Sequence, residues 1–124
     1  MNYSSEVRQR FLSPYGAGVF ERSSLGMVSG EASDRTLNVR ACFQVQVVDG
    51  VISSSRFQVF GCPHTLAAAS WVSEWLEGCP AIALRQLDVR SLADALEVPV
   101  EKFGKLLLIE DALLRCAQEF EGKI

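Results

Sequence analysis

Hydrophobic and polar residues alternate most clearly in the middle of the chain. Leu37, Val39, Ala41, Phe43, Val45 and Val47 interleave with Asn38, Arg40, Cys42, Gln44 and Gln46. A period of two marks a strand with one buried face and places Cys42 on the polar one. Asp49-Gly50 supplies a tight hairpin turn, and a return strand over 51–60 stops at Gly61. After Cys62 the period changes: Ala68, Trp71, Val72 and Trp75 recur at helical spacing, and Gly78 and Pro80 end that helix. Ser91-Leu92-Ala93-Asp94 reads as a capping box opening a short helix, and Pro99 suits the first turn of the next. The last helix carries Leu106, Ile109, Leu113, Cys116 and Phe120 on one face. Upstream, residues 3–12 suit a short amphipathic helix with Val7 and Phe11 four apart, ended by Pro14, Gly16 and Gly18. A polar stretch, Glu21-Arg22-Ser23-Ser24, leads into 26–34, where Met27-Val28 suit a short edge strand.

Strands in one block and helices in another predict an α+β domain: an antiparallel sheet of about three strands with helices packed on one face. The length of 124 residues fits a single domain, 1–124, with a core of its own.

Composition narrows the function classes. A net charge of −3 gives no electrostatic footprint for nucleic acid. No apolar run approaches a membrane span, and Met1-Asn2-Tyr3-Ser4-Ser5-Glu6 lacks the regions of a signal peptide. These features predict a cytoplasmic protein with neither a nucleic-acid nor a membrane partner. The four cysteines, Cys42, Cys62, Cys79 and Cys116, form no C-x-x-C pair, and in a reducing compartment they stay free. Cys116 falls on the apolar stripe of the last helix and reads as core; Cys79, beside Pro80, reads as loop. No nucleophilic triad or phosphate-binding glycine loop is present, which argues against an enzyme. Glu110 and Asp111 are adjacent on a helix and cannot converge on one substrate. Trp71 and Trp75 read as core.

The order helix, hairpin, Gly-Cys, helices resembles the iron–sulfur cluster assembly scaffold family of the IscU/NifU N-terminal type. Tyr3-Ser4-Ser5-Glu6-Val7 with Pro14 and Gly18 is similar to the family's start. Gly50-Val51-Ile52, Arg56-Phe57, Phe60-Gly61-Cys62, Glu74-Trp75 and Glu110-Asp111-Ala112 match it further, in order and spacing, over nearly the whole chain.

The resemblance implies a site that assembles a transient iron–sulfur cluster from three cysteines, an aspartate and usually a histidine. Transferred residue by residue, most of that set is missing. The aspartate is Asp34, but the cysteine two residues before it is Ala32. The second cysteine is Cys62, followed by Pro63. The third cysteine and its histidine neighbour fall on Gly104 and Lys105. The chaperone-recognition segment, Leu-Pro-Pro-Val-Lys in the family, reads Val98-Pro99-Val100-Glu101-Lys102. Asp34 and Cys62 make an incomplete metal set, since a binuclear cluster takes four ligands. A homodimer would supply four, though nothing in the residues argues for one.

Three side chains acquire meaning against that background. Lys105 is either a surface lysine or a cation that replaces the metal's charge, pairing with Asp34 and favouring a Cys62 thiolate. The position of Cys62 at a helix start already favours the thiolate. His64, the only histidine, is either structural or a partner of Cys62 in a chelate. Three functions follow: a divergent scaffold or accessory protein of iron–sulfur assembly; a metal-free protein that binds a cysteine desulfurase, other assembly proteins or a client; and a thiol protein using Cys62 as sulfur acceptor.

Overall fold

The computed structural model describes residues 3–20 and 26–123; the polar stretch at 21–24 lies outside them. Three strands form an antiparallel meander in the order β1 (Met27–Asp34), β2 (Val39–Val48), β3 (Val51–Phe60). Four α-helices accompany them: α1 (Ser5–Leu12), α2 (Pro63–Leu76), α3 (Val89–Leu96) and α4 (Phe103–Gly122). Helix α4 lies across β1 and β2, α2 lies against β3, and α1 rests on α2. The architecture is the expected α+β arrangement.

The β2–β3 hairpin follows the sequence pattern closely. Val39, Ala41, Phe43, Val45 and Val47 are buried under the helices, while Arg40, Cys42, Gln44 and Gln46 face the open side. The hairpin closes on Val48 opposite Val51, with Asp49 and Gly50 both at positive φ (52° and 77°). That is the backbone a two-residue type I′ turn requires. A register shift at Gln46/Val47 changes which residues of β3 face inward, so Ile52 is followed by Ser55 and Phe57.

Strand β1 is a correction to the short Met27-Val28 edge. It runs for 8 residues and pairs with β2 from Met27–Gln46 to Asp34–Val39. Its inward residues are Val28, Gly30 and Ala32, so only one of the three is large. The small ones are needed because α4 comes close. A Cβ on Gly30 would overlap the Ala112 carbonyl oxygen and stand 2.6 Å from the Cys116 amide nitrogen. The outer edge of β1 is closed by α4 itself: the Ser29 N–H donates to Glu119 (3.0 Å) and the Lys123 ammonium to the Met27 carbonyl (2.9 Å). Capping an edge with charged side chains discourages pairing with another chain.

Helix α2 also differs in detail. Its buried face is lined by Thr65, Ala67, Ala68, Ala69, Ser70, Val72, Ser73 and Leu76. Trp71 and Trp75 are not core. They are half-buried and stack on each other at 6.3 Å along the flank. Small residues let α2 approach β3, and the seryl hydroxyls are satisfied there: the Ser55 hydroxyl bonds the Ser73 carbonyl at 2.7 Å. Helix α3 starts earlier than the Ser91 capping box implies. Asp88 is its N-cap, accepting from the Ser91 N–H at 3.1 Å. Either residue could cap; Asp88 does so because Val89 and Leu92 must both turn inward. In α4 the expected stripe is buried at Leu106, Ile109, Leu113 and Cys116, with Phe120 at its edge.

Helix α1 buries Val7 but leaves Phe11 46% exposed, so only half of the expected pair is core. Ser4 caps it, accepting from the Val7 N–H at 3.2 Å. The same hydroxyl donates to the Leu96 carbonyl at the end of α3 (2.9 Å). Ser4→Ala removes both bonds and is expected to cost about 1 kcal/mol, read as a lower urea midpoint at unchanged slope.

Candidate functional site

Cys62 sits where the sheet hands over to the helices. Strand β3 ends at Phe60, Gly61 is exposed, and Cys62 is the N-cap of α2 (φ −81°, ψ 169°) with Pro63 in the first helical position. Pro63 lacks an N–H, and its fixed φ sets the helix entry. The free N–H groups of the first turn therefore converge on the cap residue. The Cys62 sulfur is half-buried and lies 3.4 Å from the Thr65 hydroxyl. Burial pushes the thiol up. The Thr65 hydroxyl, the nearby Thr65 and His64 backbone N–H groups of the helix start and the charge of Lys105 outweigh it, so the thiol lies below its ordinary value.

Lys105, in the first turn of α4, is half-buried and close enough to act on both Cys62 and His64. The charge of Lys105 thus reaches Cys62, with no hydrogen bond or ion pair between them. The expected ion pair of Lys105 with Asp34 does not form: neither residue belongs to any ion pair within 4.0 Å among the described residues. The reason is local. Asp34 ends β1 as the chain turns into β2, and its carboxylate accepts the Leu37 N–H at 3.0 Å, closing that turn. Leu37 in turn approaches α4, its Cδ1 standing 3.7 Å from where a Cβ on Gly104 would be. The Asp34 turn and Lys105 therefore meet at the first turn of α4, with Asp34 occupied by its own backbone.

His64 is buried (1% exposed) and its ring meets Tyr3 edge-on at 4.8 Å. Burial lowers its pKa, Lys102 and Lys105 add to that, and Glu101 opposes it, so the ring is neutral at pH 7. Its Nδ1 has no hydrogen-bond partner among the described residues. The other cysteines lie elsewhere. Cys42 is half-buried on the open face of the sheet, its thiol raised by burial and by Glu31 against the pull of Arg40. Cys79 donates to the Trp75 carbonyl (3.1 Å) just past the end of α2. Cys116 is fully buried and donates to the Phe43 carbonyl (3.5 Å). Asp111 is exposed and Glu110 half-buried, beside each other on α4. Among the described residues, no group of three or more His, Cys, Asp and Glu side chains is arranged to hold a metal ion. No helix among them is long and apolar enough to cross a membrane. Sequence reasoning missed Thr65, whose hydroxyl bonds the sulfur; its place three residues into a Cys-capped helix was the available signal.

Fold and site together describe a three-stranded α+β domain with a helix-capping cysteine at the hairpin–helix junction. The chain belongs to the NifU-like N terminal domain family, whose model matches residues 2–124. It is 27% identical to "Iron-sulfur cluster assembly scaffold protein IscU" of Escherichia coli K12, over 99% of this chain and 97% of that protein. It is 25% identical to "Iron sulfur cluster assembly protein 1" of Trachipleistophora hominis, over 98% of this chain and 88% of the relative. Among solved structures, the N-terminal part of a NifU-like protein from Brucella abortus superposes with a TM-score of 0.73 at 16% identity, covering 98% of this chain and 95% of the other. A putative scaffold protein for the SUF system from Fervidobacterium islandicum gives 0.66 at 14% identity, covering 93% and 96%. The fold expected from the resemblance is the fold observed.

Proposed function

We propose that this chain is a divergent scaffold or accessory protein of iron–sulfur cluster assembly, working in the cytoplasm as a non-enzymatic partner of a cysteine desulfurase or other assembly proteins. The observation that carries this reading is the family match over residues 2–124, reinforced by relatives named as assembly scaffolds along essentially their full length. A binding titration against a cysteine desulfurase tests it. The expected result is a saturable 1:1 complex with a Kd in the micromolar range, about −8 kcal/mol. No binding to the desulfurase or to any other assembly component of the same cell would overturn it.

A second reading is favoured by the surroundings of Cys62. A half-exposed thiol at a helix start, facing the Thr65 hydroxyl and the Lys105 charge, suits a sulfur acceptor. In that step the Cys62 thiolate attacks the terminal sulfur of a partner's persulfide. A new S–S bond forms on Cys62, the partner's S–S bond breaks, and the partner's thiolate leaves. No external oxidant or reductant is consumed.

A further inference from the structure

We infer that this chain, although built on the scaffold fold, holds no iron–sulfur cluster by itself, because among the described residues Cys62 stands without the further donors a cluster needs. The inference rests on the assembly-protein reading above and limits what such a protein can do.

The donor count is the first argument. Clusters are held by thiolates, with histidine replacing cysteine in some centres, and a binuclear cluster needs four ligands. Cys62 is the only cysteine at the hairpin–helix junction. Cys79 is beyond the far end of α2, a helix of 14 residues, hence roughly 20 Å away along the axis. Cys116 is sealed in the core under β2 and Cys42 is on the sheet's open face. None of the three can join Cys62 without unfolding an element.

The remaining candidates do not complete the set. The Asp34 carboxylate spends Oδ1 on the turn between β1 and β2 through Leu37 and leaves its other oxygen as one further donor at most. Ala32, on the same face of β1 two residues earlier, is 6% exposed and offers no donor atom. The ring of His64 is packed inward against Tyr3. At Gly104 the chain has no side chain and so offers no donor.

Charge is the second argument. The charge of Lys105 reaches the Cys62 sulfur, so a ferric or ferrous ion bound there would meet a like charge.

The test is anaerobic reconstitution of the full chain with ferrous iron and sulfide, followed by gel filtration and measurement of iron and of charge-transfer absorbance per chain. The wild type is expected to emerge without bound iron. The variant Ala32→Cys/Lys105→Cys, with Asp34 and Cys62 unchanged, regains a set of four donors and is expected to retain stoichiometric iron and sulfide. Far-UV circular dichroism confirms that the variant is folded, and Gly104→His/Lys105→Cys, which also makes four donors, serves if it is not. Stoichiometric iron on the wild type, as monomer or dimer, would overturn the inference. A folded variant as empty as the wild type would overturn the assignment of its cause to the missing donors. Desulfurase binding does not depend on a cluster, so this inference and the functional reading fail separately.

Discussion

Gly30→Ala is expected to lower the stability of the folded protein by about 3 kcal/mol, at the upper end of what overpacking costs. The strand residue meets backbone, not a flexible side chain. Its Cβ would collide with the Ala112 carbonyl and the Cys116 amide of α4, with the Arg115 Cβ at 2.9 Å. A rotamer change cannot relieve that contact; α4 has to move away from β1. Its Leu106, Ile109 and Leu113 are all fully buried, so the shift opens gaps along the stripe. The melting temperature should fall by roughly 10 °C for a domain of this size. Gly104→Ala is the control. A Cβ there meets only Leu37 at 3.7 Å, and the residue lies in a helix. That substitution should be neutral or stabilise by up to about 1 kcal/mol, from helix propensity alone. Equal melting temperatures for Gly30→Ala and wild type would show that α4 is not seated on β1 as described.

Lys105→Ala is expected to slow alkylation of Cys62 at pH 7 by roughly twofold, following the loss of one of the influences that favour its thiolate. The sign follows from the forces on the sulfur. Burial raises the thiol, while the Thr65 hydroxyl, the helix-start N–H groups and Lys105 lower it. Removing the lysine leaves burial opposed by hydrogen bonds alone, so the apparent thiol pKa rises and the rate–pH curve moves to higher pH. Thr65→Val should act in the same direction by removing the partner at 3.4 Å. Asp34→Ala should differ. Its carboxylate is engaged with Leu37 and not with Lys105, so the expected effect is a loosened turn with little change in thiol reactivity. A rate that falls with Asp34→Ala and is unmoved by Lys105→Ala would reverse the roles of these two residues. If neither variant alters the rate, Cys62 does not sit in a tuned site.

The parts of the fold legible in the sequence are those where large residues alternate with polar ones. Strand β2 has five inward positions filled by Val39, Ala41, Phe43, Val45 and Val47, and the turn after it carries residues that accept positive φ. Helix α4 shows its stripe because it packs on a sheet that leaves room for Leu and Ile. The parts that were not legible are the close approaches. Strand β1 presents Gly30 and Ala32 to α4, and α2 presents Ala67, Ala68, Ala69, Ser70 and Ser73 to its neighbours. Small residues carry little hydrophobic signal, so β1 reads as no more than the short Met27-Val28 edge and the tryptophans of α2 outweigh its true buried face. At the site, Cys62 beside a helix start was readable from Gly61-Cys62-Pro63. That Lys105 would lie near enough for its charge to reach the sulfur was indicated only by the family resemblance. That Asp34 would be spent on Leu37 depends on the path of the turn over 35–38, where Asn38 adopts φ 57°. No periodicity in the sequence reports that path.

On the proposed function the chain works in cluster assembly, and Cys62 is the half-exposed cysteine whose thiol lies below its ordinary value. The measurement that bears on this most directly is intact and peptide mass spectrometry of the chain after incubation with a cysteine desulfurase and cysteine under anaerobic conditions. The account predicts one additional sulfur atom, located on Cys62, removed by a thiol reductant and absent from Cys62→Ser. A chain that leaves the incubation unmodified, or that carries the sulfur on Cys42 or Cys79, would contradict it.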